Sequence, residues 1–136
     1  MHDQHEFNRA LITEFRVNAG KLSGQLAHSS ILLLTTLGAK SGQERLTPLG
    51  YVKDGERLAV LAANAGAATH PDWYYNLTAN SLVTIELGSE RFPARASIAQ
   101  GAERERLAAM ISWYAAQQTK TNRVISIVLF ERTTAE

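Results

Sequence analysis

The chain has 136 residues, of which 45% are hydrophobic and 20% charged, with 14 lysines and arginines against 13 acids and no cysteine. A chain of this length forms one ordinary domain and can hold a core without cross-links. The absence of cysteine excludes disulfide scaffolds, zinc-thiolate sites and cysteine nucleophiles. A net charge of +1 excludes a global field that would attract nucleic acid, so any anion site must be local.

The first six residues include Asp3 and Glu6 and lack the basic start and apolar core of a signal peptide. The most apolar run, residues 31–37, is about a third of the length that spans a bilayer. We therefore expect a cytoplasmic protein with at most a peripheral contact at the inner face of the cell membrane.

The first predicted element is an amphipathic helix over residues 3–19, because Phe7, Ala10, Leu11 and Phe15 recur at spacings of three and four. We treat residues 1–25 as a helical extension of a single domain that covers residues 1–136.

The rest of the chain alternates between strand and helix patterns. Short apolar or alternating runs predict six antiparallel strands, at residues 31–37, 45–53, 57–63, 83–87, 92–98 and 123–131. The last strand is apolar on both faces, which favours a central place in the sheet. Thr69, Pro71 and Asp72 predict the start of a short helix through Asn76 or Leu77, with Thr69 as its N-cap.

A longer helix is predicted over residues 102–119, where Leu107, Met110, Ile111 and Tyr114 form a stripe. Six strands with three helices at the ends and in the connections indicate a mainly β fold, a small barrel decorated by helices.

Several common chemical motifs are absent. The segment around Lys40 lacks the glycine that a phosphate-binding P-loop needs directly before its lysine, because Ala39 stands there. No dinucleotide-binding glycine pattern occurs. The four histidines show no pairing typical of a metal site, so we predict no metal.

Two loops remain as candidate sites. The basic turn, residues 38–49, combines Lys40 and Arg45 with glycines that let backbone amides face a groove, so it can hold a phosphate or a carboxylate. Cations at a hairpin tip are also often just solvated. The second loop, residues 64–76, begins with small residues that let a flat ring approach the backbone and ends in an aromatic cluster. That cluster could equally be part of the core.

The two loops together resemble a known family. Residues 33–49 (LLTTLGAKSGQERLTPL), residues 64–81 (NAGAATHPDWYYNLTANS) and the closing residues 122–129 (NRVISIVL) are similar, in this order, to the deazaflavin (coenzyme F420)-dependent nitroreductase and F420H2-dependent quinone reductase family. The resemblance runs from about Ile31 to Glu131.

The resemblance implies a split β-barrel related to that of flavin-mononucleotide (FMN) oxidases. It implies an oxidoreductase that transfers a hydride from reduced coenzyme F420 to quinones, nitroaromatics or similar acceptors, as a monomer or homodimer without nucleic acid. Tyr114 matches a tyrosine on the substrate side and is our candidate catalytic acid. The implied cofactor-binding residues are Ala39, Lys40, Ser41, Arg45, Leu46, Thr47, Pro48, Leu49, Gly50, Leu61, Ala62, Ala63, Asn64, Ala65, Gly66, Asp72, Trp73, Tyr74, Tyr75 and Asn76.

The chain departs from the family pattern in three places. Ala39 replaces an arginine of the basic turn, and Ala65-Gly66 stands where the family commonly has two glycines. Ile111 and Gln117 stand where related nitroreductases often carry tyrosines. Two alternatives therefore stay open: a split-barrel oxidoreductase that uses FMN, and a non-catalytic module that binds a cofactor or a fatty acid.

Overall fold

Strands account for most of the architecture in the computed structural model, which describes residues 4–24, 29–64 and 67–133. The strands in these ranges are β1 (Ile31–Leu37), β2 (Glu44–Gly50), β3 (Val52–Asp54), β4 (Arg57–Ala62), β5 (Leu82–Leu87), β6 (Glu90–Ile98) and β7 (Ser126–Arg132). The helices are α1 (Gln4–Val17), α2 (Asp72–Ala79), α3 (Gly101–Met110) and α4 (Tyr114–Gln118).

The connection at Tyr51 shows that the sheet is strongly curled. All pairings are antiparallel in the order β2-β1-β5-β6-β7-β4-β3, so β2 and β3 are the two edges. Laid flat, seven strands would separate the edges by about 29 Å, at about 4.8 Å per strand. One linking residue spans only about 7 Å between its flanking Cα atoms. The sheet must therefore curl until its edges meet, which confirms the predicted barrel.

Two predicted elements are each divided in two. The strand predicted over residues 45–53 is divided at Tyr51, whose N–H donates to the Ser30 carbonyl (3.1 Å) and so extends the β1–β2 register by one residue before β3 begins. The sheet therefore has seven strands, not six. The strand divides at the residue where the chain passes from one edge of the sheet to the other. The pattern of apolar residues along the chain does not show where this passage occurs.

The helix predicted over residues 102–119 is also interrupted. It ends at Met110, and Ile111 is extended, with φ −88° and ψ 103°. Ile111 is buried, whereas Met110, assigned by the pattern to the same apolar stripe, is 41% exposed. The turn lets Ile111, Trp113 and Tyr114 all pack against the outer face of β4 and β7, which one straight helix would not allow.

The core has layers on both faces of the sheet. Alternate residues of the strands, with Trp73 and Leu77 of α2, fill the barrel interior. The opposite face of β4 and β7 packs against α3 and α4, and Leu33 of β1 packs against α1. The last strand lies between β6 and β4, as its two-sided apolar pattern predicted.

Helix α1 packs on the outside of the barrel through Leu11 and Phe15, whereas Phe7 and Ala10 of the predicted stripe are exposed. Arg16 fixes the helix to β5 with a forked contact to both carboxylate oxygens of Glu86, at 3.0 and 2.8 Å. Glu86 is largely buried, so this pair satisfies a charge that would otherwise be costly to remove from water.

Strand pairing brings the two candidate loops to one end of the barrel. Ala62, at the end of β4, pairs with Ser126, at the start of β7. Ile98, at the end of β6, pairs with Val128 of the same strand. β5 begins beside the end of β6 and beside the end of β1, where the basic turn starts. We call this the loop end of the barrel.

An ion-pair cluster ties the β3–β4 hairpin to α3. The carboxylate of Asp54 accepts hydrogen bonds from Arg57 (2.6 Å) and from both terminal nitrogens of Arg106 (2.9 and 3.1 Å), and Arg57 also contacts Glu103 at 2.8 Å. Hydrogen bonds from Arg106 and then Arg57 lower the pKa of Asp54 from 3.8 to about 2.

This lowered pKa predicts an acid-dependent loss of stability. The folded state binds a proton at Asp54 less readily than the unfolded chain, so the contribution of Asp54 is present above pH 3.8 and lost as the pH falls to about 2. We expect the melting temperature of Asp54→Asn to fall less steeply across this range than that of the wild type. Glu56→Gln, at an exposed acid of the same hairpin turn, is the control; an identical acid profile for wild type and Asp54→Asn would contradict the assignment.

Candidate functional site

The basic turn is held in shape by its own backbone. The Gly38 N–H donates to the Gln43 carbonyl (2.7 Å), and the Gly42 N–H donates to the Gly38 carbonyl (2.9 Å). Ser41 folds back into the turn, where its Oγ accepts from the Gln43 N–H at 3.1 Å. A Cβ at Gly38 would lie 2.6 Å from that oxygen, so a side chain at this position would displace the Ser41 hydroxyl from the turn.

Asn76 anchors the basic turn to α2. Its Oδ1 accepts from the Ala39 N–H at 2.9 Å, and its Nδ2 donates to the Thr36 hydroxyl at 3.2 Å. Asn76 is only 8% exposed. Because a buried polar group left without a partner is costly, this side chain fixes the position of the turn relative to the helix.

Helix α2 begins later than its sequence signals predicted. Its N-cap is Pro71, with no side-chain cap, and the helix runs to Ala79. Thr69 was the predicted cap, but its carbonyl accepts from Asn64 Nδ2 (2.9 Å) and it lies outside the helix.

A groove of about 930 Å³ lies between the basic turn and α2. Its lining contains ten of the predicted cofactor-binding residues: Ala39, Lys40, Ser41, Arg45, Leu46, Thr47, Asp72, Trp73, Tyr75 and Asn76. Asn8, Gly38 and Glu44 also line it and were not predicted. Glycine-dependent turn geometry could have indicated Gly38, whereas nothing in the local sequence of Asn8 connects α1 to this groove.

The charged side chains that line the groove come from the basic turn, from opposite faces of β2 and from α2. Arg45 pairs with Thr36, so both lie on the sheet face that carries Leu34 and Leu32 into the barrel. Glu44 is on the opposite face, with α1, and Asp72 opens α2. Lys40 and Arg45 are exposed, and no ion pair involves either of them in residues 4–24, 29–64 and 67–133. Both cations therefore remain available to an anion.

Pro48, Leu49 and Gly50 are not among the residues that line the groove. Leu49 packs against the barrel core, and Gly50 lies close to the Trp113 ring, 3.6 Å from the position of a Cβ. The predicted contact of these three residues with a cofactor stays a prediction.

The end of β4 provides the second predicted surface. Leu61 and Ala62 are buried, Ala63 is half-buried, and Asn64 is exposed with φ 54°. Asn64 is held by its contact with Thr69. Ala65 and Gly66 lie outside the described residues, and their assignment stays a prediction.

Arg123 holds this strand end, and the sequence patterns did not single it out. It was assigned to the last strand, which in fact starts at Ser126. Its guanidinium donates to the carbonyls of Ala62 (3.2 Å), Ala63 (2.7 Å) and Ala67 (3.4 Å). The closing NRVI motif was a usable signal, because it was part of the family resemblance.

The aromatic residues of α2 face two sides. Tyr75 lines the groove, whereas Tyr74 stacks on His70, with ring centroids 3.9 Å apart and planes 14° from parallel. His70 Nδ1 lies 3.1 Å from Arg123 Nη1. Helix α2 thus connects the groove to the end of β4.

Tyr114 lies at the start of α4, packed against the outer face of β4 and β7, and is not among the groove residues. Its hydroxyl accepts from Arg104 (3.0 Å) and donates to Gln118 Oε1 (3.4 Å). On the same helix, Gln117 Oε1 is buried with no hydrogen-bond partner in the described part of the chain. This polar atom lies at one of the positions where the related nitroreductases often carry tyrosine.

A second cavity, of about 800 Å³, opens at the other end of the barrel. Its rim mixes acids with cations, and Arg132 is already engaged with Glu90 (3.3 Å) and with the Phe92 ring (4.4 Å to its centroid). None of the predicted site residues lines it.

Within the described ranges, no helix has the length and apolarity needed to cross a membrane.

Comparison with known proteins finds similarity to one family along most of the chain. Residues 7–132 match the model of a family described as F420H(2)-dependent quinone reductase. An F420H(2)-dependent quinone reductase of Mycobacterium tuberculosis (strain ATCC 25618 / H37Rv) is 36% identical over 108 residues, which cover 74% of this chain and 72% of the relative.

Two solved structures extend the likeness to the fold. An F420-H2 dependent reductase (FDR-A) is 37% identical with a TM-score of 0.66, over 75% of this chain and 94% of that one. A chain described as a domain-swapped dimer is 32% identical with a TM-score of 0.69, over 95% of this chain and 100% of that one.

Proposed function

Because the chain belongs to the F420H(2)-dependent quinone reductase family, we propose that this oxidoreductase transfers a hydride from reduced coenzyme F420 to a quinone, with the cofactor held in the groove between the basic turn and α2. The observation that carries the location is the groove itself, where the basic turn and the first turns of α2 face one space. When bound, the cofactor supplies the hydride, so the protein needs no nucleophile or metal of its own.

The residues of the groove fit the anionic end of the cofactor. Lys40 and Arg45 are exposed cations that no described acid neutralises, and backbone hydrogen bonds across the turn fix the main chain between them. Arg45 can donate two parallel hydrogen bonds to a phosphate or carboxylate, and Lys40 supplies a point charge. Ser41 Oγ accepts within the turn, so its hydroxyl proton is free to donate outward.

The strand end fits a flat ring. Ala63 and Asn64 expose backbone at the end of β4, and Arg123, which contacts Ala63, also contacts the His70 ring that stacks on Tyr74. We assign the deazaflavin ring to this surface. The rigid backbone then sets the orientation from which a hydride is transferred, because hydride transfer depends on close and aligned approach.

Tyr114 stays our candidate for the proton that the reduced quinone takes up. Its hydroxyl proton is directed at Gln118 Oε1 over a long 3.4 Å contact, while Arg104 donates to the Tyr114 hydroxyl oxygen at 3.0 Å. After the hydroxyl gave up its proton, its oxygen would stay in contact with the guanidinium. We also propose that nitroaromatic compounds serve as acceptors. We propose further that the protein forms a homodimer, which the domain-swapped relative supports. Its proposed location is the cytoplasm, with at most peripheral membrane contact.

A fluorescence titration with oxidised F420 and with FMN tests the cofactor and its site together. We expect Lys40→Ala and Arg45→Ala each to raise the Kd for F420 about fivefold, since a charge contact near the surface is worth about 1 kcal/mol. Added salt should weaken wild-type binding for the same reason.

Lys53→Ala is the matched control, because Lys53 is an exposed lysine that lines the cavity at the other end of the barrel. Unchanged F420 affinity in both groove variants would show that the basic turn is not the anion site. Tight FMN binding that F420 does not displace would favour the flavin alternative. Binding without oxidation of reduced F420 by a quinone such as menadione would favour the non-catalytic module.

A further inference from the structure

Arg123 makes a set of contacts that reaches from the start of β7 to two other parts of the loop end. Its guanidinium donates to the carbonyls of Ala62, Ala63 and Ala67, and its Nη1 lies 3.1 Å from His70 Nδ1. These contacts span 53 to 61 positions of sequence. One side chain therefore connects the segment before β7 to the end of β4 and to the second loop.

The contacts substitute for a strand partner that the sheet no longer provides. The β4–β7 ladder ends at the pair Ala62 and Ser126, so the carbonyls beyond it lack a neighbour from the sheet. The planar guanidinium offers five donors in a fixed fork, which lets it serve several carbonyls at once. A lysine ammonium at this place would keep the charge but lose the fork.

His70 takes part only in its neutral form. Arginine has no acceptor, so the contact with Arg123 requires an unprotonated Nδ1, with the ring proton on Nε2. The ring is held in place by stacking on Tyr74 and by an edge contact with Tyr75 at 5.7 Å between centroids. The Tyr75 hydroxyl also accepts from the His70 N–H at 3.2 Å.

We propose that Arg123 is a positioning residue that fixes the end of β4 for the ring of the cofactor, and that protonation of His70 weakens this hold and with it cofactor binding. The proposal rests on the proposed function, because it assigns the ring to the end of β4. Arg123 acts through the backbone it holds and need not touch the reacting atoms.

The charges around His70 set the direction of the pH effect. Among the described residues the titratable groups that face it are Arg123 on the segment before β7, and Tyr74 and Tyr75 on α2. Burial, followed by the charge of Arg123, lowers the pKa of His70 below 6.5. The neutral form is therefore the native one near neutral pH, and acidification below this lowered pKa places two cations 3.1 Å apart.

The first test uses the free protein and needs no cofactor. NMR titration of the His70 ring should give a pKa below 6.5 in the wild type and a value closer to 6.5 in Arg123→Gln, because one source of the lowering is removed. Protection factors for amide hydrogen exchange at Ala63, Asn64 and Ala67, corrected for the intrinsic exchange rate at each pH, should be lower at pH 5 than at pH 7.5 in the wild type. An unchanged His70 pKa in Arg123→Gln, or protection factors at these amides that do not change with pH, would overturn the proposal.

The second test measures F420 affinity between pH 5 and pH 7.5. His70→Asn places an amide oxygen near the position of Nδ1 and cannot titrate. We expect the wild type to lose affinity about tenfold more than His70→Asn on acidification, and the ratio of their Kd values at each pH cancels any titration of the cofactor itself. Equal losses in the two proteins would overturn the coupling.

Arg123→Lys and Arg123→Gln should both raise the Kd for F420 about tenfold at pH 7.5, with a flatter pH profile than the wild type. Arg132→Gln, which removes the same charge at the other end of the barrel, should leave binding unchanged. Wild-type affinity in Arg123→Lys would overturn the need for the fork. If the wild type itself does not bind F420, the proposed function fails, whereas the results on the free protein still decide whether His70 and Arg123 control the strand end.

Discussion

Replacing Gly20 by alanine is expected to lower the free energy of unfolding by about 2–4 kcal/mol. Gly20 follows the end of α1 with φ 89°, a conformation that side chains rarely adopt. A Cβ at Gly20 would also lie 2.7 Å from the Cα of Gly88, in the turn between β5 and β6. That neighbour is backbone and cannot rotate away. Urea unfolding should show a lower midpoint with an unchanged slope.

The contact between Gly20 and Gly88 belongs to the end of α1. The Gly20 N–H donates to the Phe15 carbonyl at 2.8 Å, after Ala19 in the left-handed region with φ 54°. This is the hydrogen bond of a Schellman helix end, in which the helix is closed by a residue of positive φ. The glycine pair thus sets how closely α1, which contributes Asn8 to the groove, approaches the barrel.

Gly55→Ala is the matched control for Gly20→Ala. Gly55 has φ 62° but no heavy atom within 4 Å of the position of its Cβ. Its substitution carries only the backbone cost, about 1 kcal/mol. Equal losses in the two variants would show that the close approach to Gly88 contributes nothing to stability.

Local chemistry was sufficient to predict the strands and the turns between them. The hairpin turns at Asp54-Gly55 and Gly88-Ser89 and the glycines of the basic turn appear where the sequence placed them, because turn conformation depends on residues a few positions apart. The two divided elements depend on distant packing instead. Tyr51 divides the strand because the chain passes there from one edge of the sheet to the other, and Ile111 leaves the helix because its side chain is buried against β4 and β7.

The sequence predicted which segments form the site, but it predicted less well what the individual side chains in those segments do. The family resemblance indicated the basic turn and α2, and these do face one groove. It could not show that the amide of Asn76 is already used by Ala39 and Thr36, or that Arg123 serves carbonyls 56 to 61 positions away. Hydrogen bonds of such separation leave no periodic signal in a single sequence.

The second large effect is expected for Asn76→Ala, which removes the anchor between α2 and the basic turn. The buried Thr36 hydroxyl and the Ala39 N–H would both lose their partner, at a cost of about 1–3 kcal/mol of stability. The turn can recover by moving toward water, but Lys40 and Arg45 then move away from α2. We expect the Kd for F420 to rise about tenfold, which corresponds to about 1.4 kcal/mol. Fluorescence titration well below the melting temperature of the variant measures this change.

Asn80→Ala separates the anchor from a general weakening of α2. Asn80 caps the same helix at its other end, is exposed, and uses its Oδ1 to accept from the Leu82 N–H at 3.2 Å. Its loss removes a local hydrogen bond without reaching the groove, so F420 affinity should stay at the wild-type level. Wild-type affinity in Asn76→Ala as well would mean that the turn keeps its cations in place unaided. A tenfold loss in Asn76→Ala alone would instead make the buried amide the link through which α2 sets the geometry of the anion site.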